Sequence, residues 1–209
     1  MASIIVVGSL NEDLVVRVKR WPESGETVFG ERLDRAAGGK GGNQAAAAAR
    51  LGAEVAMVGR VGDDMAGQSL RAGLAKLGVD VTRVVAVPDR QTGAAVVGLD
   101  AEGGNRIVVL AGANAALEPH ALNGIDWHAA RVLLLQLEIP IATVTAAAHA
   151  AQAAGVLVVL DPAPAMDLPH ELLGAVDILT PNATEAAAMS GRDVLDQRTA
   201  RLAASRIEA

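Results

Sequence analysis

Apolar positions along the chain gather into short β-branched runs separated by longer, alanine-rich stretches. Residues 4–7, 55–61, 132–135, 157–160 and 178–179 are almost continuously apolar, as strands are when helices cover both faces of their sheet. Residues 44–51, 66–77 and 143–154 are alanine-rich, and each is followed by a glycine (Gly52, Gly78, Gly155). Helices commonly end on such a glycine. The alternation predicts an α/β fold, a doubly wound, mainly parallel sheet flanked by helices.

Two regions depart from this rhythm. Residues 14–19 and 27–33 alternate apolar and polar side chains across a turn-rich link, Trp21-Pro22-Glu23-Ser24-Gly25, as paired strands do. A second set of strand-like pieces, 84–87, 93–99 and 106–110, follows without an intervening helix. Together they predict a small β-sheet lid, with strands at approximately 14–33 and 84–110 inserted into a single domain spanning 1–209. Residues 196–209 read as an amphipathic helix with Leu202 and Ile207 as its apolar positions. For a chain of this size, compact folding leaves about 9,000 Å² of accessible surface.

Composition narrows the function classes. Eighteen Lys and Arg stand against 24 Asp and Glu, for a net charge of −6, and aromatic residues make up only 1% of the chain. A nucleic-acid partner needs a basic stripe or stacking rings, and the sequence has neither. The absence of cysteine rules out disulfides, thiolate metal sites and thiol nucleophiles. Residues 139–160 carry no charge and could cross a bilayer of about 30 Å. Pro140, His149, Gln152 and Gly155 divide that stretch into a helix and a strand, so no membrane span is expected. With no basic leader over residues 1–10 either, a cytoplasmic protein is expected.

Several motifs carry candidate chemistry. Gly38-Gly39-Lys40-Gly41-Gly42-Asn43-Gln44 runs into a helix, where glycines permit close backbone approach and the helix N-terminus offers free N–H groups. Lys40 is followed by Gly41 rather than Ser or Thr, so this is not a P-loop, and Gln44 stands where a dinucleotide fingerprint needs glycine. Asn11 and Asp13 follow the first strand at its carboxyl end, where open α/β sheets bind ligands. An amide and a carboxylate there can hold vicinal hydroxyls, although an Asx turn would use the same residues. Glu138 follows another strand in the same way. Asn182-Ala-Thr-Glu185 has the spacing of a helix capping box, and spacing alone favours that reading over a phosphate site. Gly59-Arg-Val-Gly-Asp-Asp64 reads as a strand end with Asp63 or Asp64 as a helix cap. The four histidines show no metal-ligand spacing.

In order along the chain, these motifs resemble the ribokinase branch of the PfkB carbohydrate kinase family. The resemblance is carried by Gly8-Ser-Leu-Asn-Glu-Asp13, Pro22-Glu-Ser-Gly-Glu-Thr27, Gly38-Gly-Lys-Gly-Gly-Asn-Gln-Ala45 and Gly59-Arg-Val-Gly-Asp-Asp64. It continues through Gly112-Ala-Asn-Ala-Ala-Leu117, Gln136-Leu-Glu138, Asp161-Pro-Ala-Pro164 and Thr180-Pro-Asn-Ala-Thr-Glu185. It implies a ribokinase-like fold whose lid clasps that of a second copy in a homodimer. It also implies ATP-dependent phosphorylation of D-ribose at O5. Asn11, Asp13, Gly39, Lys40, Gly41, Asn43 and Glu138 would line the sugar site. Asn182 and Glu185 would face ATP and Mg²⁺, with Glu185 acting on the metal indirectly.

The resemblance covers the N-terminal two thirds of the family pattern. The later Gly-Ala-Gly-Asp-type motif, which supplies the general base and anion hole, finds no match in these 209 residues, nor does the K⁺ site. Losing a base costs about 10²–10⁴ in rate, and losing an anion hole about 10²–10³ more. The chain is therefore expected to be an inactive N-terminal portion, poorly soluble where an apolar edge is uncovered. A non-catalytic sugar-binding module, or a PfkB kinase for another sugar or nucleoside, is the alternative. A Rossmann oxidoreductase fits the layers but fails at the glycine fingerprint.

Overall fold

The structure, a computed structural model, describes residues 3–207. Ten strands and six α-helices follow one another as β1 (Ile4–Val7), β2 (Asn11–Val18), β3 (Gly30–Gly38), α1 (Lys40–Arg50), β4 (Val55–Gly62), α2 (Met65–Lys76), β5 (Asp80–Val87), β6 (Gly93–Leu99), β7 (Asn105–Leu110), β8 (Val132–Gln136), α3 (Ile141–Ala153), β9 (Leu157–Asp161), α4 (His170–Leu173), β10 (Ile178–Leu179), α5 (Ala183–Ser190) and α6 (Gln197–Ile207) among the described residues. Three short 3₁₀ turns lie between β7 and β8.

Six strands form a parallel sheet in the order β10-β9-β8-β1-β4-β5. Its two faces feed two cores. Ile5 and Val7 of β1 pack with Leu133, Leu135, Val158 and the α3 residues Val144, Ala147 and Ala151. Val6, between them, points to the other side and joins Met57, Leu70 and Leu74 beneath α1 and α2. This period of two places both helical layers, and the central position of β1 explains its unbroken apolar sequence.

The second sheet has the order β3-β2-β6-β7. Its β2–β6 pair is parallel and its outer pairs antiparallel. The lid thus exists, with three differences from the sequence reading. Residues 84–87 belong to β5, at the edge of the main sheet beside β4 rather than in the lid. An edge strand is half covered, and its alternation mimics that of a lid strand. Residues 27–29 precede β3, which starts at Gly30, and β2 starts at Asn11, so the lid begins inside the candidate site.

Helix α1 starts at Lys40, one turn earlier than the alanine pattern predicts, so the glycine segment is helix rather than loop. In α6 the buried residue is Ala203, whereas Leu202 is exposed; residues 208–209 of the expected terminal helix lie outside the described residues. The accessible surface is 11605 Å², well above the roughly 9,000 Å² of a compact monomer of this mass. In the lid, every residue of β7 is exposed.

Candidate functional site

The carboxyl end of β1 passes into β2 through Gly8, Ser9 and Leu10, and the first turn of α1 packs directly on this link. Gly39, at the helix N-cap, has φ 84°, and a Cβ there would stand 2.6 Å from Asn11 N. A Cβ on Gly41 would stand 2.7 Å from Ser9 N. Both positions need glycine because two backbones meet there. Gly42 N–H donates to Ser9 O at 2.9 Å. On the opposite side, a Cβ on Gly8 would fall 1.9 Å from Nε2 of Gln136. The Gln136 amide donates to Val7 O at 3.0 Å and to Gln44 Oε1 at 3.2 Å.

This packing places a set of polar side chains around one hollow. Ser9, fully buried, donates its hydroxyl to Glu138 Oε2 at 2.6 Å and accepts Gly41 N–H at 3.3 Å. Lys40 N–H, at the start of α1, donates to the same Glu138 oxygen at 3.0 Å. A carboxylate at a helix N-terminus is favoured by the exposed N–H groups and the dipole. Asn11, Asn114, Glu138, Leu137, Pro140 and Val109 are among the residues lining a cavity of about 370 Å³ between the main sheet and the lid. Asp13 lies two residues along the same face of β2, against Gly38, where a Cβ would stand 2.2 Å from its carboxylate. Burial, reinforced by the negative charge of Glu138, raises the Asp13 carboxyl above its ordinary value.

The Lys40 ammonium approaches Asp161, at the end of β9, to 3.7 Å. Asp161 is raised by burial; Lys40 opposes this, while Glu185 and Glu138 add to it. The acids and the lysine thus form one electrostatic neighbourhood running from the sugar-side residues toward α5. There, Asn182 Oδ1 accepts Glu185 N–H at 2.9 Å. Asn182 N–H and Nδ2 donate to the two Glu185 oxygens at 2.8 and 2.7 Å. This is the capping box expected from spacing.

Of the residues singled out from sequence, Asn11 and Glu138 line this hollow; Lys40 bonds Glu138 through its N–H, Gly39 and Gly41 pack against the Ser9–Asn11 link, and Asp13 stands next along β2 within electrostatic reach of Glu138. Asn43 is exposed and lines a groove with Gly38, Arg50, Leu70 and Leu74. It occupies the fourth position of α1, three residues after Lys40 and so on the same side of the helix. Asp64, rather than Asp63, caps α2, accepting Gly67 N–H at 2.8 Å. Burial opposes its ionisation, but the Thr92 hydroxyl and the Thr92 and Gly67 N–H groups hold its carboxyl below the usual value. No group of three or more His, Asp or Glu suited to a metal ion occurs among the described residues. Sequence reasoning misses Ser9, Asn114, Gln136 and Asp161. All four stand inside the family-like motifs, but as spacers rather than obvious ligands.

A parallel sheet with polar side chains gathered at its carboxyl edge, covered by a small mixed sheet, defines a ribokinase-like α/β fold. The chain belongs to the pfkB family of carbohydrate kinases, whose profile matches residues 1–208. It is 42% identical over 205 residues to the ribokinase of Haemophilus influenzae, covering 97% of this chain and 67% of that one. It is likewise 42% identical over 188 residues to the Bacillus subtilis ribokinase, covering 89% and 64% respectively. Among solved structures, Arabidopsis thaliana ribokinase complexed with ribose and ATP superposes with a TM-score of 0.90 at 36% identity. That match covers 99% of this chain and 68% of the plant chain. The chain thus spans about two thirds of the length of these relatives.

Proposed function

We propose that this chain carries the sugar-binding part of a ribokinase, an enzyme that transfers phosphate from ATP to O5 of D-ribose. The observation that carries this reading is that Asn11 and Glu138 line one hollow beneath the lid, with Glu138 held by the first N–H of α1 and Asp13 next along β2, within electrostatic reach of Glu138. Vicinal hydroxyls both donate and accept. An amide and a carboxylate on the wall of one cavity, with a second carboxylate beside them on β2, satisfy both roles.

Lys40 lies between this hollow and Asp161, where its charge would face phosphate arriving from the side of Asn182 and Glu185. ATP brings Mg²⁺, which neutralises phosphate charge in such transfers. Both Glu185 oxygens already accept hydrogen bonds from Asn182, so this carboxylate fits an outer position, acting through water or phosphate rather than as a direct ligand. Asn43, on the same side of α1 as Lys40, remains in the proposed sugar-binding set, although it also borders the groove toward α2.

The lid of a second copy would cover the exposed apolar side chains of β7, Ile107 to Leu110, and the homodimer is part of this proposal. So is a cytoplasmic location; no helix among the described residues is long and apolar enough to cross a membrane. Without a Gly-Ala-Gly-Asp-type motif, the 209 residues by themselves would bind the sugar but not turn it over. Calorimetry with D-ribose, followed by a phosphate-transfer assay with Mg-ATP, tests both parts. Ribose binding without transfer is the expected outcome. A folded chain that ignores ribose overturns the sugar site, and transfer at ordinary kinase rates overturns the assignment of the missing base.

A further inference from the structure

Asn114 lies in the 3₁₀ turn Gly112–Ala116, directly after lid strand β7, and is 1% exposed. Its amide oxygen accepts Leu10 N–H at 2.9 Å, and its amide nitrogen donates to Leu10 O at 3.2 Å. The side chain thus pairs with the Leu10 backbone as a neighbouring strand would. The second N–H of the same nitrogen reaches Asn11 Oδ1 at 2.8 Å.

An amide can usually be turned end for end, because its oxygen and nitrogen differ little in shape. At Asn114 the direction is forced. The Leu10 N–H can only donate and its carbonyl can only accept, so Asn114 must present oxygen to the first and nitrogen to the second. With that nitrogen fixed, the Asn11 atom beside it must be the oxygen. The Asn11 NH₂ is therefore the end left for the cavity that Asn11 lines. Gly93 shows how closely the two amides are held: a Cβ there would stand 2.2 Å from Asn114 Nδ2 and 2.3 Å from Asn11 Oδ1.

We infer that Asn114 is a positioning residue that sets the polarity of the sugar site, locking Asn11 as a hydrogen-bond donor beside two acceptors, Glu138 in the same cavity and Asp13 next along β2. A sugar hydroxyl then receives a hydrogen bond on its oxygen from Asn11 and gives its proton to a carboxylate. Two acceptors without a fixed donor would leave one hydroxyl lone pair unpaired. Because Asn114 follows β7 within a few residues, it also ties this polarity to the seat of the lid. The inference rests on the sugar-binding reading, but its first test does not.

That test is side-chain amide exchange, followed by NMR on the sugar-free 209-residue chain. The Asn114 NH₂, bonded through both hydrogens, should exchange with water at least tenfold more slowly than the Asn11 NH₂. Faster exchange at Asn114 than at Asn11 overturns the inference, whether or not ribose binds. The second test is D-ribose titration of the wild type, Asn114→Asp, Asn11→Ala and the double variant, with melting curves to establish that each is folded. Asn114→Asp keeps the acceptor for Leu10 N–H but cannot hold Asn11 by its oxygen. At neutral pH it should bind ribose at least tenfold more weakly, and adding Asn11→Ala should cost little more. Folded Asn114→Asp with wild-type affinity, or losses that simply multiply in the double variant, would overturn the inference. A wild type that ignores ribose would sink the sugar-binding reading while leaving the exchange result to decide the amide polarity.

Discussion

Replacing Ser9 by alanine removes one oxygen and reaches three segments at once. The hydroxyl donates to Glu138 at 2.6 Å and receives Gly41 N–H at 3.3 Å, in a position with no solvent to take over either contact. A hydrogen bond to a charged group contributes about 1.5–3 kcal/mol, and an orphaned buried N–H costs on the order of 1 kcal/mol or more. The longer 3.3 Å contact falls at the weak end, and Glu138 keeps its bond from Lys40 N–H at 3.0 Å. The net expectation for Ser9→Ala is a loss of about 2–4 kcal/mol, which at this chain length corresponds to about 4–16 °C in Tm. Glu138 would also lose one of the two donors that fix its orientation, so D-ribose should bind about tenfold more weakly. Urea unfolding followed by circular dichroism, with parallel calorimetric titration of ribose, measures both effects. A Ser9→Ala chain within about 0.5 kcal/mol of wild type would show that the α1 contact is held by backbone packing alone. The hydroxyl would then have no structural role.

Three further outcomes follow from the site. Gly93→Ala should destabilise the chain by about 1–3 kcal/mol through overpacking and weaken ribose binding, since the new Cβ would fall 2.2 Å from Asn114 Nδ2; an unaltered binding isotherm would refute this. Asp13, raised by burial and then by Glu138, keeps its proton in the folded chain at pH values where the unfolded chain has lost it. Its contribution to stability is therefore present at low pH and falls as pH rises through the folded value, so Asp13→Asn should gain on wild type across that rise while losing sugar affinity. Urea melts at a series of pH values read this difference, and a flat or reversed trend excludes it. Asn182→Ala should cost about 1 kcal/mol by removing a helix cap, with faster amide exchange confined to α5; loss of protection throughout the main sheet would contradict a local role.

The layer order is legible in the sequence because β1 and the body of β8 and β9, up to their polar last residues Gln136 and Asp161, are near-continuously apolar. Strand β5 misleads because it is an edge strand, and half-exposure erases the distinction between a main-sheet strand and a lid strand. The start of α1 is hidden for a different reason. Glycine is a poor helix former, and local preference gives no hint that tertiary contact with Ser9 and Leu10 holds Gly41 and Gly42 in a helical turn. Among the site residues, Asn11, Asp13 and Glu138 stand out because carboxyl ends of strands are where ligands bind. Ser9 and Asn114 do not, since each acts across more than 100 positions of sequence, Ser9 on Glu138 and Asn114 on Leu10 and Asn11. Asn43 goes with its glycine-rich motif in sequence and, three residues after Lys40 in α1, stands on the same side of the helix.

Strand β2 begins at Asn11 and is paired on both flanks as far as Arg17. The same rod therefore serves as the rim of the hollow at one end and the spine of the cover at the other. Tilting the cover by even a few degrees would swing the Asn11 amide and the Asp13 carboxylate away from Glu138, which is anchored to a different sheet. Grip and closure are then a single mechanical event, and anything that stiffens the outer end of the rod is felt as affinity at its base.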